Sequence, residues 1–443
     1  MEKNYFSKAL FTLCAFLMIL PALNAQLPDR VLVGYWHNWE ALRLTDVNDR
    51  YNVLMLSFLE ADKDGSKDNN VVGDLEFTPY NASQLKADIP TVQAQGKKVI
   101  ISIGGANGSF KLNNSTDVNT FVSKVKSFIT EYGVDGIDID LERTVYMCSP
   151  SGSLSSPATY MQNVIDGVEQ LLSWYQSTYG RKMILTTAPE VSYTTGGISP
   201  WNACNGSFLP FIEQLRNDID LLMIQLYNSG NVYSIKYPGN KTEYAAGTVD
   251  FIITQTEAAI EGFTINNSAI SGSYSGLPAS KIAVALPACS GAGSGYVSPT
   301  NVKAAMEYLM GCGSKPGSYT LSKTYPELRG LMTWSINNDA NASCSGSYTF
   351  ADAYTSISCP VVINTKEIIA NAQLKLSPNP ATNSVLIEGI IDNLVQVFDL
   401  NGNLLVSAPT NNTQYALNTS GLANGIYLVQ SGTTVTKLVV QRD

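Results

Sequence analysis

Asp135-Gly-Ile-Asp-Ile-Asp-Leu-Glu142 alternates acids with large aliphatics and ends on a glutamate. Side chains change face at every residue of a strand, so Asp138, Asp140 and Glu142 share one face while Ile137, Ile139 and Leu141 share the other. With Val134 before the run and Arg143 after it, the aliphatic face is fit to pack under helices. The acidic face then looks into an enclosed space. Asp135 starts the strand on the opposite parity and is assigned a structural role.

Three carboxyl groups about 7 Å apart from one to the next along a strand cannot all ionise cheaply away from bulk water. Each raises its neighbours' pKa, so at least one proton is retained near neutrality, ready for donation to a leaving group. A solvated edge strand would not need Ile, Ile and Leu on its reverse. An EF-hand calcium loop would want glycine and turn spacing that this run lacks.

Seven further β-rich runs accompany Gly136–Leu141: Val31–Trp36, Val53–Leu59, Val99–Ile103, Met183–Ala188, Leu221–Leu226, Ile282–Leu286 and Leu331–Trp334. Most precede an amphipathic segment. Residues 118–132 place Phe121, Val125, Phe128, Ile129 and Tyr132 on one helical stripe, residues 160–175 repeat the pattern, and 250–262 and 301–310 also read as helices. Eight strands alternating with helices predict an α/β fold, a (β/α)8 TIM barrel, whose chemistry sits at the C-terminal strand ends. Glu142 closes its strand at such an end.

The acidic run resembles the D-x-x-D-x-D-x-E signature of glycoside hydrolase family 18, the chitinases and their relatives. Other strand ends fit in order: Gly34-Tyr-Trp-His-Asn-Trp39, Ser102-Ile-Gly-Gly105, Met183 to Glu190, Met223-Ile-Gln-Leu-Tyr-Asn228 and Gly330-Leu-Met-Thr-Trp-Ser335. The resemblance implies substrate-assisted hydrolysis of β-1,4-N-acetylglucosamine linkages in chitin or chito-oligosaccharides with retention of configuration. Glu142 would be the general acid and base, Asp140 would hold the substrate's acetamide, and Asp138 would share a proton with Asp140. Tyr227 would touch the N-acetyl group. Substrate contacts are expected from Tyr35, Trp36, Gly104, Gly105, Glu190, Met223, Gln225 and Asn228, with Trp334 as the floor under the reacting sugar. Neither a metal nor an organic cofactor is required. N-glycan-cleaving endo-β-N-acetylglucosaminidases are a second branch of the same resemblance, and a non-catalytic chitin-binding lectin is the rival from another class. Such a lectin would be expected to have lost the terminal glutamate.

The 443 residues carry a net charge of −9 and no basic block, which argues against nucleic acid and anionic membrane as partners. Their length implies more than one domain. Residues 1–25 have the order of a secretory signal peptide: Lys3 and Lys8, an apolar stretch from Ala9 to Leu20, then Pro21 to Ala25. No later segment reaches about twenty apolar residues, so no membrane span is expected. A monomer is assumed. His37, the only histidine, is read as a structural hydrogen-bonding group, and a serine-hydrolase triad lacks its nucleophile elbow.

Six cysteines remain after the leader, at 148, 204, 289, 312, 344 and 359, and six allow fifteen pairings. Nearness suggests Cys289 with Cys312 and Cys344 with Cys359, leaving Cys148 for Cys204. The barrel is therefore placed at 26–359, a linker at 360–372 and a small β-sandwich at 373–443. Beyond Cys359 neither cysteine nor tryptophan follows, and short strands alternate with turns, among them Asn401-Gly402. Ser377-Pro-Asn-Pro-Ala381, Val395 to Gly402, Gly421-Leu-Ala-Asn-Gly-Ile-Tyr-Leu428 and Lys437-Leu-Val-Val440 resemble the C-terminal type A sorting domain of type IX secretion cargo. The type IX secretion machinery is then an expected partner, and the protein is secreted or held at the cell surface. A carbohydrate-binding module would offer sugar an aromatic platform, whereas this tail has only Phe398, Tyr415 and Tyr427.

Overall fold

In the computed structural model, the described residues are 27–62, 69–143, 148, 152–266, 270–344, 346–360, 374–390, 394–399, 404–410, 414–431 and 434–442. The leader, the Asn401-Gly402 turn and all of the expected linker but Pro360 lie outside them. The chain divides into two compact units near residue 361.

The first unit is built on eight strands: β1 (Val31–His37), β2 (Val53–Leu59), β3 (Lys98–Gly104), β4 (Gly136–Leu141), β5 (Ile184–Thr187), β6 (Leu221–Leu222), β7 (Ala283–Pro287) and β8 (Gly330–Trp334). They run in the order β7-β8-β1-β2-β3-β4-β5-β6, every neighbouring pair parallel. Bridges from Leu222 to Ile282 and from Gln225 to Ala285 join β6 to β7 and close the barrel. The ladder of β6 is shorter than the expected run to Leu226, because beyond Leu222 the chain pairs only at Gln225, with Glu190 on one side and Ala285 on the other.

Helices α1 (Ala82–Ala94), α2 (Ser115–Tyr132), α3 (Thr159–Tyr179), α4 (Leu209–Gln214), α5 (Val249–Glu261), α6 (Pro299–Met310) and α7 (Thr349–Ser356) return the chain between or after strands. A 3-10 turn, Leu44–Asp46, stands where a helix would follow β1. Sequence sets the helix ends. Asn114 caps α2 by accepting from the Thr116 and Asp117 amides, and Gly133 stops it at φ +68, a conformation that costs glycine little.

Two apolar layers follow from strand parity. Ile137, Ile139 and Leu141 point outward into the large cluster between barrel and helices, with Phe121, Val125, Phe128 and Ile129 of α2. Val33, Met55, Ile100, Ile184, Met223 and Met332 fill the barrel interior. Asp138 and Asp140 share that inner face and are buried.

Cys148–Cys204 pairs as expected. The other two bridges correct the expectation: Cys289 pairs with Cys344 and Cys312 with Cys359. A βα unit runs up its strand and down its helix, so Cys289, after β7, and Cys312, after α6, stand at opposite ends of one unit. Cys344 follows β8 and Cys359 follows α7, so each bridge joins matching positions of successive units.

The second unit holds β9 (Lys375–Ser377), β10 (Ser384–Glu388), β11 (Leu394–Phe398), β12 (Leu404–Pro409), β13 (Gln414–Asn418), β14 (Gly425–Ser431) and β15 (Thr434–Val440). They form two antiparallel sheets, β9-β10-β13 and β12-β11-β14-β15, over one core that includes Val385, Ile387, Val395, Val397, Val429 and Leu438. Tyr427 lies in that core and Tyr415 packs against it. Among the described residues, no helix is long and apolar enough to cross a membrane.

Candidate active site

Parity in β4 sends Asp138 and Asp140 into the barrel, and Glu142 follows just beyond the strand end. Their register sets Asp138 beside Ser102 of β3 and Thr186 of β5, and Asp140 beside Gly104. Asp138 is fully buried, and both of its oxygens are occupied. Tyr35 Oη and Ser102 Oγ donate to Oδ2 at 2.6 and 2.7 Å, and Thr186 Oγ1 donates to Oδ1 at 2.7 Å. Burial pushes its pKa up while the three hydroxyls oppose the rise.

Asp140 has no such set of hydroxyls. Its Oδ1 accepts from Gln225 Nε2 at 3.0 Å, and the same nitrogen donates to Glu142 Oε1 at 2.9 Å and to the Ala188 carbonyl at 2.9 Å. Burial and then the charges of Glu142, Asp138 and Glu190 hold its carboxyl well above the usual range. Glu142 is pushed up to about 7, chiefly by burial and with help from Glu190, against hydrogen bonds from Gln225 and Asp140. Burial thus favours protons on Asp140 and Glu142, whereas at Asp138 the same effect is opposed by three hydroxyl donors.

These groups open into a cleft of about 420 Å³ lined by Tyr35, Asn38, Trp39, Phe58, Glu60, Thr78, Ala106, Asn107, Asp140, Glu142, Gln225, Tyr227, Asn228, Met332 and Trp334. Acids line it, and among the described residues no lysine, arginine or histidine does. Trp334 stacks on Phe58 at 5.6 Å between ring centroids and packs against Tyr35 and His37. His37 supports this wall from behind: its Nδ1 meets Glu40 at 2.7 Å and its ring stacks on Trp39 at 4.3 Å. Asn228 Oδ1 accepts from Ser294 N and Oγ, so a ligand would meet its amide nitrogen. Among the described residues, no three His, Cys, Asp or Glu side chains form a metal-holding group.

Five expected substrate contacts stand elsewhere. Trp36 follows Tyr35 on β1 and so faces outward, its Nε1 donating to the Leu42 carbonyl at 2.8 Å within the outer core. Met223 is wholly buried in the barrel interior, and Met332 lines the cleft instead. Gly104 and Gly105 lie behind the wall. A Cβ on Gly104, which sits at φ +113, would come 2.5 Å from the Asp140 carbonyl, and one on Gly105 would meet the Phe58 ring at 2.9 Å. Gly104 lets β3 approach β4 closely and Gly105 makes room for Phe58 of β2, and the following Ala106 and Asn107 reach the cleft. Glu190 does not line it either; its Oε2 accepts from the Arg143 amide at 2.9 Å, and it acts on Asp140 and Glu142 through its charge.

Asp135, off the acidic face as parity requires, accepts from Val99 N and Gln93 Nε2 at 3.0 Å and pairs with Arg181. Sequence reasoning did not single out Asn38, Trp39, Phe58, Glu60, Thr78, Asn107 or Met332 as site residues. Phe58 lies toward the C-terminal end of β2 and Met332 shares the inner face of β8 with Trp334, the signals that could have found them. Thr78 comes from a loop and Asn107 from the single helical turn Gly105–Gly108 after β3, and neither carries such a signal.

Residues 31–324 match the profile of glycosyl hydrolases family 18, and residues 375–441 match the secretion system C-terminal sorting domain. Chitinase Chi52 of Paenibacillus xylanexedens is 39% identical over 320 residues, which cover 70% of this chain and 58% of that protein. Chitinase ChiA of Flavobacterium johnsoniae is 38% identical over 350 residues, 74% of this chain and 21% of the relative. The chain thus spans only part of the length of these curated relatives. A crystal structure of a family GH18 chitinase from Chromobacterium violaceum superposes with a TM-score of 0.63 at 33% identity, covering 75% of this chain and 84% of that one. The second unit is a C-terminal sorting domain. The longer match takes in seven of the eight barrel strands together with the acidic run, and the chain belongs to glycosyl hydrolases family 18.

Proposed function

We propose that this protein is a secreted chitinase that hydrolyses β-1,4-N-acetylglucosamine linkages by a substrate-assisted, retaining reaction. The observation that carries the reading is Glu142, raised to about 7 and hydrogen-bonded with Asp140 through Gln225 in an aromatic-walled cleft. A carboxyl so raised still holds a proton for a leaving group at mildly acidic pH.

Glu142 gives that proton to the glycosidic oxygen as the bond to the anomeric carbon breaks. The substrate's own 2-acetamido oxygen attacks that carbon and forms an oxazolinium, with Asp140 accepting from the acetamide N–H. Asp138, solvated by Tyr35, Ser102 and Thr186, supplies a fixed negative charge nearby. Tyr227 contacts the acetamide and Trp334 lies under the ring. Glu142, now ionised, takes a proton from water. The resulting hydroxide equivalent adds to the anomeric carbon, the oxazolinium opens with its N–H retained as the acetamide's, and the product keeps the starting configuration.

The sorting domain supports export through a type IX machinery, and residues 1–25 are read as the leader that brings the chain to it. The protein would then work outside the cell or on its surface.

Product analysis of chitohexaose by mass and anomer tests the reading. Early β-anomeric dimers and trimers from the parent, with none from Glu142→Gln, are the expected result. An intact hexamer would overturn it.

A further inference from the structure

Gln225 offers two amide hydrogens to three acceptors, Asp140 Oδ1, Glu142 Oε1 and the Ala188 carbonyl, all within 3.0 Å. The side chain is nearly buried, and its backbone is fixed on both sides. Gln225 N donates to the Pro189 carbonyl at 3.0 Å, and bridges tie the residue to Glu190 and Ala285. These bonds fix the backbone of Gln225 at the barrel seam, and the three acceptors together hold its amide beside the two carboxyls. Two hydrogens shared among three acceptors also leave each carboxyl partly unsatisfied, which favours a proton held between Asp140 and Glu142 themselves.

We propose that Gln225 is a positioning residue that holds Asp140 turned toward Glu142 before any ligand arrives, so that the pair carries one shared proton and Asp138 stays outside it. The arrangement on the other side agrees, because both Asp138 oxygens are already taken by Tyr35, Ser102 and Thr186. Gln225 does this work by donating to the two carboxyls, and it neither gives up nor takes a proton in the proposed reaction. The inference rests on Glu142 as the general acid.

Substitution to methionine keeps the length and unbranched shape of Gln225 and removes both donors. A hydrogen bond to a carboxylate lowers its pKa, so losing the donor raises Glu142 by about one unit. In Gln225→Met, kcat on chitohexaose is expected to fall about tenfold with KM changed less than about threefold, and the basic limb of the kcat/KM profile to move up about one pH unit. A lowered kcat with an unmoved basic limb would reduce Gln225 to packing and overturn the proposal. Should the methionine variant fail to fold, Gln225→Glu has nearly the same shape and replaces the donor by an acid, so it must shift the limb the same way.

Carbon NMR of the intact protein labelled at glutamate carboxyls, assigned against Glu142→Gln, reads the Glu142 pKa without substrate. If the parent cuts no chitohexaose, the functional reading fails. This titration still decides the clamp: an upward shift in Gln225→Met supports it, and an unchanged titration sinks it.

Discussion

Tyr35 Oη lies 2.6 Å from Asp138 Oδ2, although the two residues are 103 positions apart and β2 and β3 separate their strands. The bond therefore crosses the barrel interior. It ties the first strand to the acidic strand and satisfies one oxygen of a fully buried carboxyl. Burial raises Asp138, and the hydroxyls of Thr186, Tyr35 and Ser102 oppose that rise.

Tyr35→Phe removes one of three donors with almost no change of volume. A lost donor to a charged group raises the Asp138 pKa by about one unit. In the proposed reaction Asp138 works ionised, so the acidic limb of the kcat/KM profile should move to higher pH by about that amount. The basic limb, set by Glu142, should stay. An unmoved acidic limb would mean that Tyr35 only packs.

Glu142→Gln should gain stability where the parent loses activity. The glutamate is raised from 4.5 to about 7, so between those values the folded protein keeps a proton that the unfolded chain has released. Stability then falls as pH rises through that window, by up to about 3 kcal/mol, and is unaffected below it. Glutamine does not ionise. Thermal unfolding should show the variant several degrees above the parent at pH 8 and level with it at pH 4; equal melting at both values would contradict the raised carboxyl.

The acidic run discloses its own geometry because a two-residue period needs no tertiary information. Ile137, Ile139 and Leu141 went outward and Asp138 and Asp140 inward as parity requires. Parity also bears on Tyr35 and Trp36, adjacent residues that cannot both face the cleft. Depth along the barrel is another matter. Met223 and Tyr227 share a face, yet only Tyr227 reaches the cleft, because distance from the strand end is set by how the barrel closes. Gly104 and Gly105 approach Asp140 and Phe58 closely, a contact between strands that the sequence does not distinguish from an approach to a ligand. The Cys289 and Cys312 pairings likewise depended on which end of a βα unit each residue occupies, and nearness in sequence does not report that.

Asp135→Ala should separate scaffold from chemistry. The side chain satisfies the buried Val99 amide, takes Gln93 Nε2 and pairs with Arg181, holding the start of β3 to the start of β4. Its loss leaves a buried N–H without a partner and should cost about 2–4 kcal/mol in chemical denaturation. At a temperature where the variant remains folded, kcat should stay within about threefold of the parent, since no cleft residue is touched. A hundredfold loss of kcat in folded protein would return Asp135 to the reaction.

Trp334 and Trp36 make a paired test of which tryptophan meets sugar. Trp334 lines the cleft with one face against Phe58 and its edges near Tyr35 and His37, whereas Trp36 points away and is bonded to the Leu42 carbonyl. An aromatic anchor in a cleft contributes about 2 kcal/mol or more to binding, so Trp334→Ala should raise KM for chito-oligosaccharides about thirtyfold. Trp36→Phe removes the indole N–H and some outer-core volume. It should lower the melting temperature and leave KM unchanged. If KM instead followed Trp36, the outward assignment of that side chain would be wrong, since a residue under the helices has no route to the substrate.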